Sequence, residues 1–143
     1  MRTITFIFAL VFIPSLAFSQ GIQQSHISGN LPDTFEEFQV ILKRDLESYF
    51  QKHLGRQVTI EYDLLRKAPT QSGVSYPKFY AWIIAKQSGK IIESGAVRVA
   101  AIEKARIEVT DFVSRKEILN NPSSIDSIFP KALCDGIRNQ AKQ

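Results

Sequence analysis

Thr34-Phe35-Glu36-Glu37-Phe38-Gln39-Val40-Ile41-Leu42-Lys43-Arg44-Asp45-Leu46-Glu47-Ser48-Tyr49-Phe50-Gln51-Lys52-His53-Leu54-Gly55 is the stretch that decides the fold. Thr34, three residues before Glu37, forms a capping box: the hydroxyl accepts from the third amide and the carboxylate reaches back. Phe35, Phe38, Ile41, Leu42, Leu46, Tyr49 and Phe50 recur at helical spacing, while Glu36, Glu37, Lys43, Arg44, Glu47 and Lys52 fill the other side. The pattern predicts an amphipathic helix with a broad, aromatic-rich face. Gly55 supplies its left-handed stop. Such a helix spans roughly 30 Å. A face of that length needs a large apolar partner, and a sheet is the natural one. His53 falls in the last turn, where the helix dipole favours a partly charged imidazole. Its position therefore needs no ligand to explain it.

The sheet is written in the next segments. Val58–Leu64 alternates, with Val58, Ile60, Tyr62 and Leu64 on one face. Lys78–Ala85 is apolar on both faces, as in a central strand or one whose second face binds something. Gln87-Ser88-Gly89-Lys90 is a tight-turn signal that leads into Ile91–Ala101, and Arg106–Val113 alternates again. Ala68–Pro77, rich in Pro, Gly and Ser, reads as an exposed loop. Ser114 with Glu117 forms a second capping box, and Asn121-Pro122 ends that short helix. Ser123 or Ser124 starts another turn through Phe129. Pro130 suits the first position of a last helix, with Leu133, Cys134 and Ile137 facing inward.

The fold class is therefore α+β: a long N-terminal helix packed on a four-stranded antiparallel sheet, with short C-terminal helices. This order resembles the cystatin-like rolls. The resemblance implies a sheet wrapped on a helix. It does not extend to the cystatin inhibitor pattern Gln-x-Val-x-Gly, because the nearest stretch, Gln71-Ser72-Gly73-Val74-Ser75, has Gly and Val misplaced. Protease inhibition is not implied.

Ahead of the helix, Arg2 precedes an apolar run from Ile4 to Ile13, then Pro14, with small residues at Ala17 and Ser19. Residues 1–19 have the layout of a cleaved signal peptide. The run is shorter than the roughly 20 residues a membrane span needs, and no cysteine near the cut offers a lipid anchor. The expected location is secreted or periplasmic, with no transmembrane anchor. Residues 20–31, including His26, read as a flexible lead-in, and residues 32–143 as a single α+β domain. The chain carries 18 basic and 14 acidic side chains, a formal net charge of +4. Their signs alternate, as in Glu103-Lys104-Ala105-Arg106-Ile107-Glu108, which describes a solvated surface and no nucleic-acid stripe.

Chemistry-bearing patterns are sparse. Two distant histidines and one cysteine give no zinc spacing, no acidic calcium loop appears, and isolated glycines make no phosphate cradle. No metal and no cofactor is expected. Cys134 reads as a small buried hydrophobe, the alternatives being an intermolecular disulfide or a reactive thiol. Glu61 and Asp63 share one strand face, where a solvated pair is the plain reading and acid–base work the sharper one. Phe79 should face opposite to Tyr80 and Trp82. Tyr76, Tyr80 and Trp82 then form a candidate ligand-binding face for a protein, a peptide or a cell-envelope polymer. The competing reading packs the C-terminal helix over them. The function expected is a non-catalytic binding or accessory protein. The alternative is a small-molecule carrier or acid–base enzyme with a pocket between helix and curved sheet, using Tyr62, Asp63 and Tyr80. An intact-mass measurement on protein from the extracytoplasmic fraction is expected to give a chain starting at Gln20; a chain retaining residues 1–19 there would remove the signal-peptide reading.

Overall fold

Thr34 opens the first helix, α1 (Phe35–Leu54), with extended backbone and a side chain that accepts the Glu37 N–H at 3.1 Å. Gly55 closes it in the left-handed region at φ 65°, where a side chain would be strained. The computed structural model describes residues 28–70 and 76–143. The expected signal peptide, His26, most of the lead-in and the Gln71–Ser75 stretch lie outside the described residues. The described end of the lead-in is a 3-10 turn, Ser28–Asn30, followed by Leu31, which is half-buried against the core.

Four strands follow: β1 (Thr59–Leu64), β2 (Lys78–Gln87), β3 (Lys90–Glu103) and β4 (Arg106–Ser114). They form one antiparallel meander in the order β1-β2-β3-β4. Ser88 and Gly89 both take positive φ, 51° and 77°, in the turn between β2 and β3, which matches the right-handed strand twist. Two further helices, α2 (Arg115–Asn120) and α3 (Lys131–Ala141), complete the chain. Ser114 caps α2 as the sequence predicts, accepting the Glu117 N–H at 3.2 Å.

The strand alternation builds two cores on the two faces of one sheet. Phe38, Leu42, Leu46 and Phe50 of α1 press onto Ile60, Phe79, Ile83, Val97 and Val99. Small Ala81, Ala85 and Ala101 make room for the large helix residues; the Phe38 and Phe79 rings lie 4.3 Å apart. On the other face Tyr80, Trp82, Ala96 and Val113 are covered by Ile118, Ile125, Phe129, Cys134, Ile137 and Ala141. Among the described residues, no polar or charged residue is buried. The helix-on-sheet arrangement is thus the expected one. The C-terminal segment adds a full second layer.

Polar contacts fasten α1 to both sheet edges. Glu47 accepts the Ile60 N–H of β1 at 3.3 Å, and Asp45 accepts the Ile107 N–H of β4 at 2.8 Å. Across the other face, Arg98 pairs with Asp111 at 2.6 Å and donates to the Ile128 carbonyl at 3.2 Å. That ties β3 and β4 to the loop before α3.

At Gly95 the backbone of β4 lies close against β3. A Cβ there would stand 2.3 Å from the Val113 carbonyl oxygen and 2.7 Å from the Phe112 ring. Gly95→Ala is expected to cost about 1–3 kcal/mol through overpacking, and Thr34→Ala about 1 kcal/mol through the lost cap. Urea unfolding would read both as lower midpoints with unchanged slope; a wild-type midpoint for Gly95→Ala would contradict the close approach.

Candidate functional site

The aromatic strand does not present an open face. Tyr80 and Trp82 are only 3% and 4% exposed. They lie beneath the C-terminal layer, with the Tyr80 ring 5.9 Å from that of Phe129. The physical reason is the apolar second face of β2, which needs a cover and obtains one from Ile118, Ile125, Phe129 and Ile137. The outward-face reading of Tyr80 and Trp82 is corrected accordingly. Tyr76, just before β2, is the one ring of the three that meets solvent, at 48% exposed.

Tyr62 and Asp63 are not brought together either. Neighbours in a strand point to opposite faces. Tyr62 packs against the α1 core and donates its hydroxyl to the Gln39 carbonyl at 3.3 Å; burial pushes its phenol up. Asp63 is exposed. Glu61, on the same face as Asp63, is held through both carboxylate oxygens by Lys86 at 2.7 Å. The space between α1 and the sheet, where the pocket alternative places its site, is packed with Phe38, Leu42, Leu46 and Phe50. Cys134 is buried, with Sγ 3.5 Å from the Pro130 carbonyl oxygen. Burial, then the negative charge of Asp126, pushes its thiol up, which suits the small-hydrophobe reading.

A site the sequence reading missed lies where β3 outruns β4. The pairing of β3 with β4 begins at Gly95, opposite Ser114, and Ser114 already caps α2. Lys90–Ser94 therefore pairs with β2 on one side and, among the described residues, has no strand on the other. This free edge is roughly 17 Å long. The chain turns away into α2, which forms the opposite wall of a groove. A cleft of about 300 Å³ lies between Ile91, Glu93 and Ser94 on one side and Arg115, Lys116 and Leu119 on the other. A second cleft of about 230 Å³ shares Ile91, Ser94 and Arg115 and continues towards Trp82, Ile84 and Gln140.

The groove mixes apolar and polar walls and carries two cations on its rim. Ile91 and Leu119 are 62% and 47% exposed. Arg115 donates its Nε–H to the Ala141 carbonyl at 2.7 Å, which fixes the guanidinium at the junction of the two clefts. Among the described residues, neither Arg115 nor Lys116 pairs with a carboxylate. The acid in the wall, Glu93, accepts the Ser94 N–H at 3.0 Å. At the N-terminal end of α1, beside that packed centre, a cleft of about 230 Å³ opens between Phe35, Phe38, Pro69 and Phe79. Among the described residues, no cluster of potential metal ligands occurs, and no helix is long and apolar enough to cross a membrane.

Comparison of the chain with protein-family models, curated proteins and solved structures gives no match.

Trp82 is the only tryptophan in the chain, so its emission reports on the second core alone. A blue-shifted emission, poorly quenched by acrylamide, is expected; ready quenching would mean that the C-terminal layer lifts. The Tyr62 phenol is raised above its unfolded value, so its neutral form is the one the fold favours. Its contribution to stability is complete below about pH 10 and is lost as pH rises through the folded value. Urea midpoints followed up the alkaline range should fall less steeply in Tyr62→Phe than in wild type.

Proposed function

We propose that this protein is a secreted or periplasmic, non-catalytic binding or accessory protein that recognises a protein, a peptide or a cell-envelope polymer through the groove between β3 and α2. The observation that carries this reading is the company Arg115 keeps. A backbone-anchored cation stands beside two large apolar side chains that face water, Ile91 and Leu119. Exposed apolar surface rimmed by polar groups is what interaction sites look like. Covering each of those side chains with a partner is worth about 1 kcal/mol, and a satisfied Arg contact adds to it.

Two features weigh against the carrier or acid–base alternative. The centre of the helix–sheet interface is filled by Phe38, Leu42, Leu46 and Phe50, and the carboxylates Glu61 and Asp63 are ion-paired and solvent-facing, respectively. Tyr76 is a solvent-facing aromatic that a partner can touch.

Native mass spectrometry of the chain taken from its extracytoplasmic fraction tests the proposal. A protein or polymer complex is expected, and it should be depleted about tenfold or more in the double variant Ile91→Ser, Leu119→Ser. A small-molecule adduct that survives the double variant would overturn the groove reading in favour of a pocket.

A further inference from the structure

Edge strands are normally paired, covered or blunted, because a row of free N–H and C=O groups invites another strand. Here both outer strands are partly covered by α1: Glu47 takes the Ile60 amide and Asp45 takes the Ile107 amide. Lys90–Ser94 has no strand along its free side among the described residues, although α2 stands across the groove, a bulge leaves Ile92 without a partner in β2, and the Glu93 carboxylate takes the Ser94 amide. The geometry is that of a sheet with one place left vacant, in line with β4 and walled by α2.

We propose that an extended acidic segment of a partner protein occupies this place as an added strand. Its backbone pairs with Lys90–Glu93, leaving the Ser94 amide to Glu93, an apolar side chain sits between Ile91 and Leu119, and its carboxylates meet Arg115 and Lys116. The proposal rests on the binding reading above and names its mode and the partner's chemistry. Strand addition draws affinity from main-chain hydrogen bonds and specificity from alternate side chains, and the groove offers both. The partner is acidic because the rim cations Arg115 and Lys116 are uncommitted to any carboxylate among the described residues, whereas Glu93 already serves an amide. Lys90 adds a further cation at the end of the slot. A second copy of this chain, paired β3 to β3, would bring two sets of these cations together, which is repulsive. An acyl chain fits less well, since both clefts lie open to water along their length and would leave its methylenes wet.

The test uses the folded chain, labelled for amide NMR, and a short capped peptide of alternating valine and glutamate. Shifts are expected at Lys90–Ser94 and at Arg115–Leu119. Affinity should fall at least tenfold when alternate peptide amides are methylated, and about tenfold in Arg115→Gln. Lys116→Gln, which disturbs no contact in the fold, should weaken binding severalfold and covers the case in which Arg115→Gln fails to fold. Binding to the groove that is indifferent to N-methylation would overturn strand addition while leaving the groove as the binding site. Equal binding of a valine–lysine peptide would overturn the acidic partner. Concentration-dependent doubling of mass, with shifts at Lys90–Ser94 and no peptide present, would assign the slot to a second copy. No shift at these residues with either peptide would end the proposal, and the native-mass result above then decides separately whether the groove binds anything.

Discussion

The central strands of this protein are apolar on both faces, and a sheet of that kind has to be covered twice. Phe79, Ala81, Ile83 and Ala85 point one way along β2 while Tyr80 and Trp82 point the other. Neither set tolerates water, because each large side chain left exposed forgoes about 1.5–3 kcal/mol. The long helix meets the first demand. The short C-terminal helices and the loop between them meet the second. The three layers and the absence of buried polar residues among those described both follow from that double requirement.

Edge chemistry then determines where the molecule can interact. Two carboxylates two residues apart on α1, Asp45 and Glu47, point to opposite sides of the helix and satisfy amides on opposite margins of the sheet, so the helix both fills one face of the sheet and guards its rims. The guard does not reach the β2–β3 hairpin, because β3 is longer than β4. Gly95 marks the boundary: there β4 lies too close for a side chain, and beyond it β3 continues paired with β2 only, among the described residues.

Much of this was legible from residues. The capping box at Thr34, the Gly55 stop and the Ser88-Gly89 turn are local signals, and local signals survive without tertiary knowledge. The alternation of Val58, Ile60, Tyr62 and Leu64 located one face correctly for the same reason. The two-sided character of β2 was also visible, but its meaning was not. Whether Tyr80 and Trp82 meet a ligand or a helix depends on where α3 docks, and no pattern within β2 carries that information. The groove was hidden for a different reason. It exists because strand lengths are unequal in a particular register, and register is a relation between segments. Arg115 and Lys116 read in isolation are simply the start of a short helix.

The cover of the second core comes almost wholly from residues 115–143, which are made after the sheet they cover. Strands paired with their immediate neighbours in sequence favour early local assembly, so α1 and the meander can close the first core while that tail is still emerging. Until it arrives, the sheet has a finished side and a bare one, with Tyr80, Trp82, Ala96 and Val113 uncovered. Such transiently exposed apolar surface is what makes incomplete chains sticky. A product stopped short of Ile137 would keep its first core and most of its secondary structure yet behave as an adhesive fragment, which places the burden of quality control on the segment that follows β4.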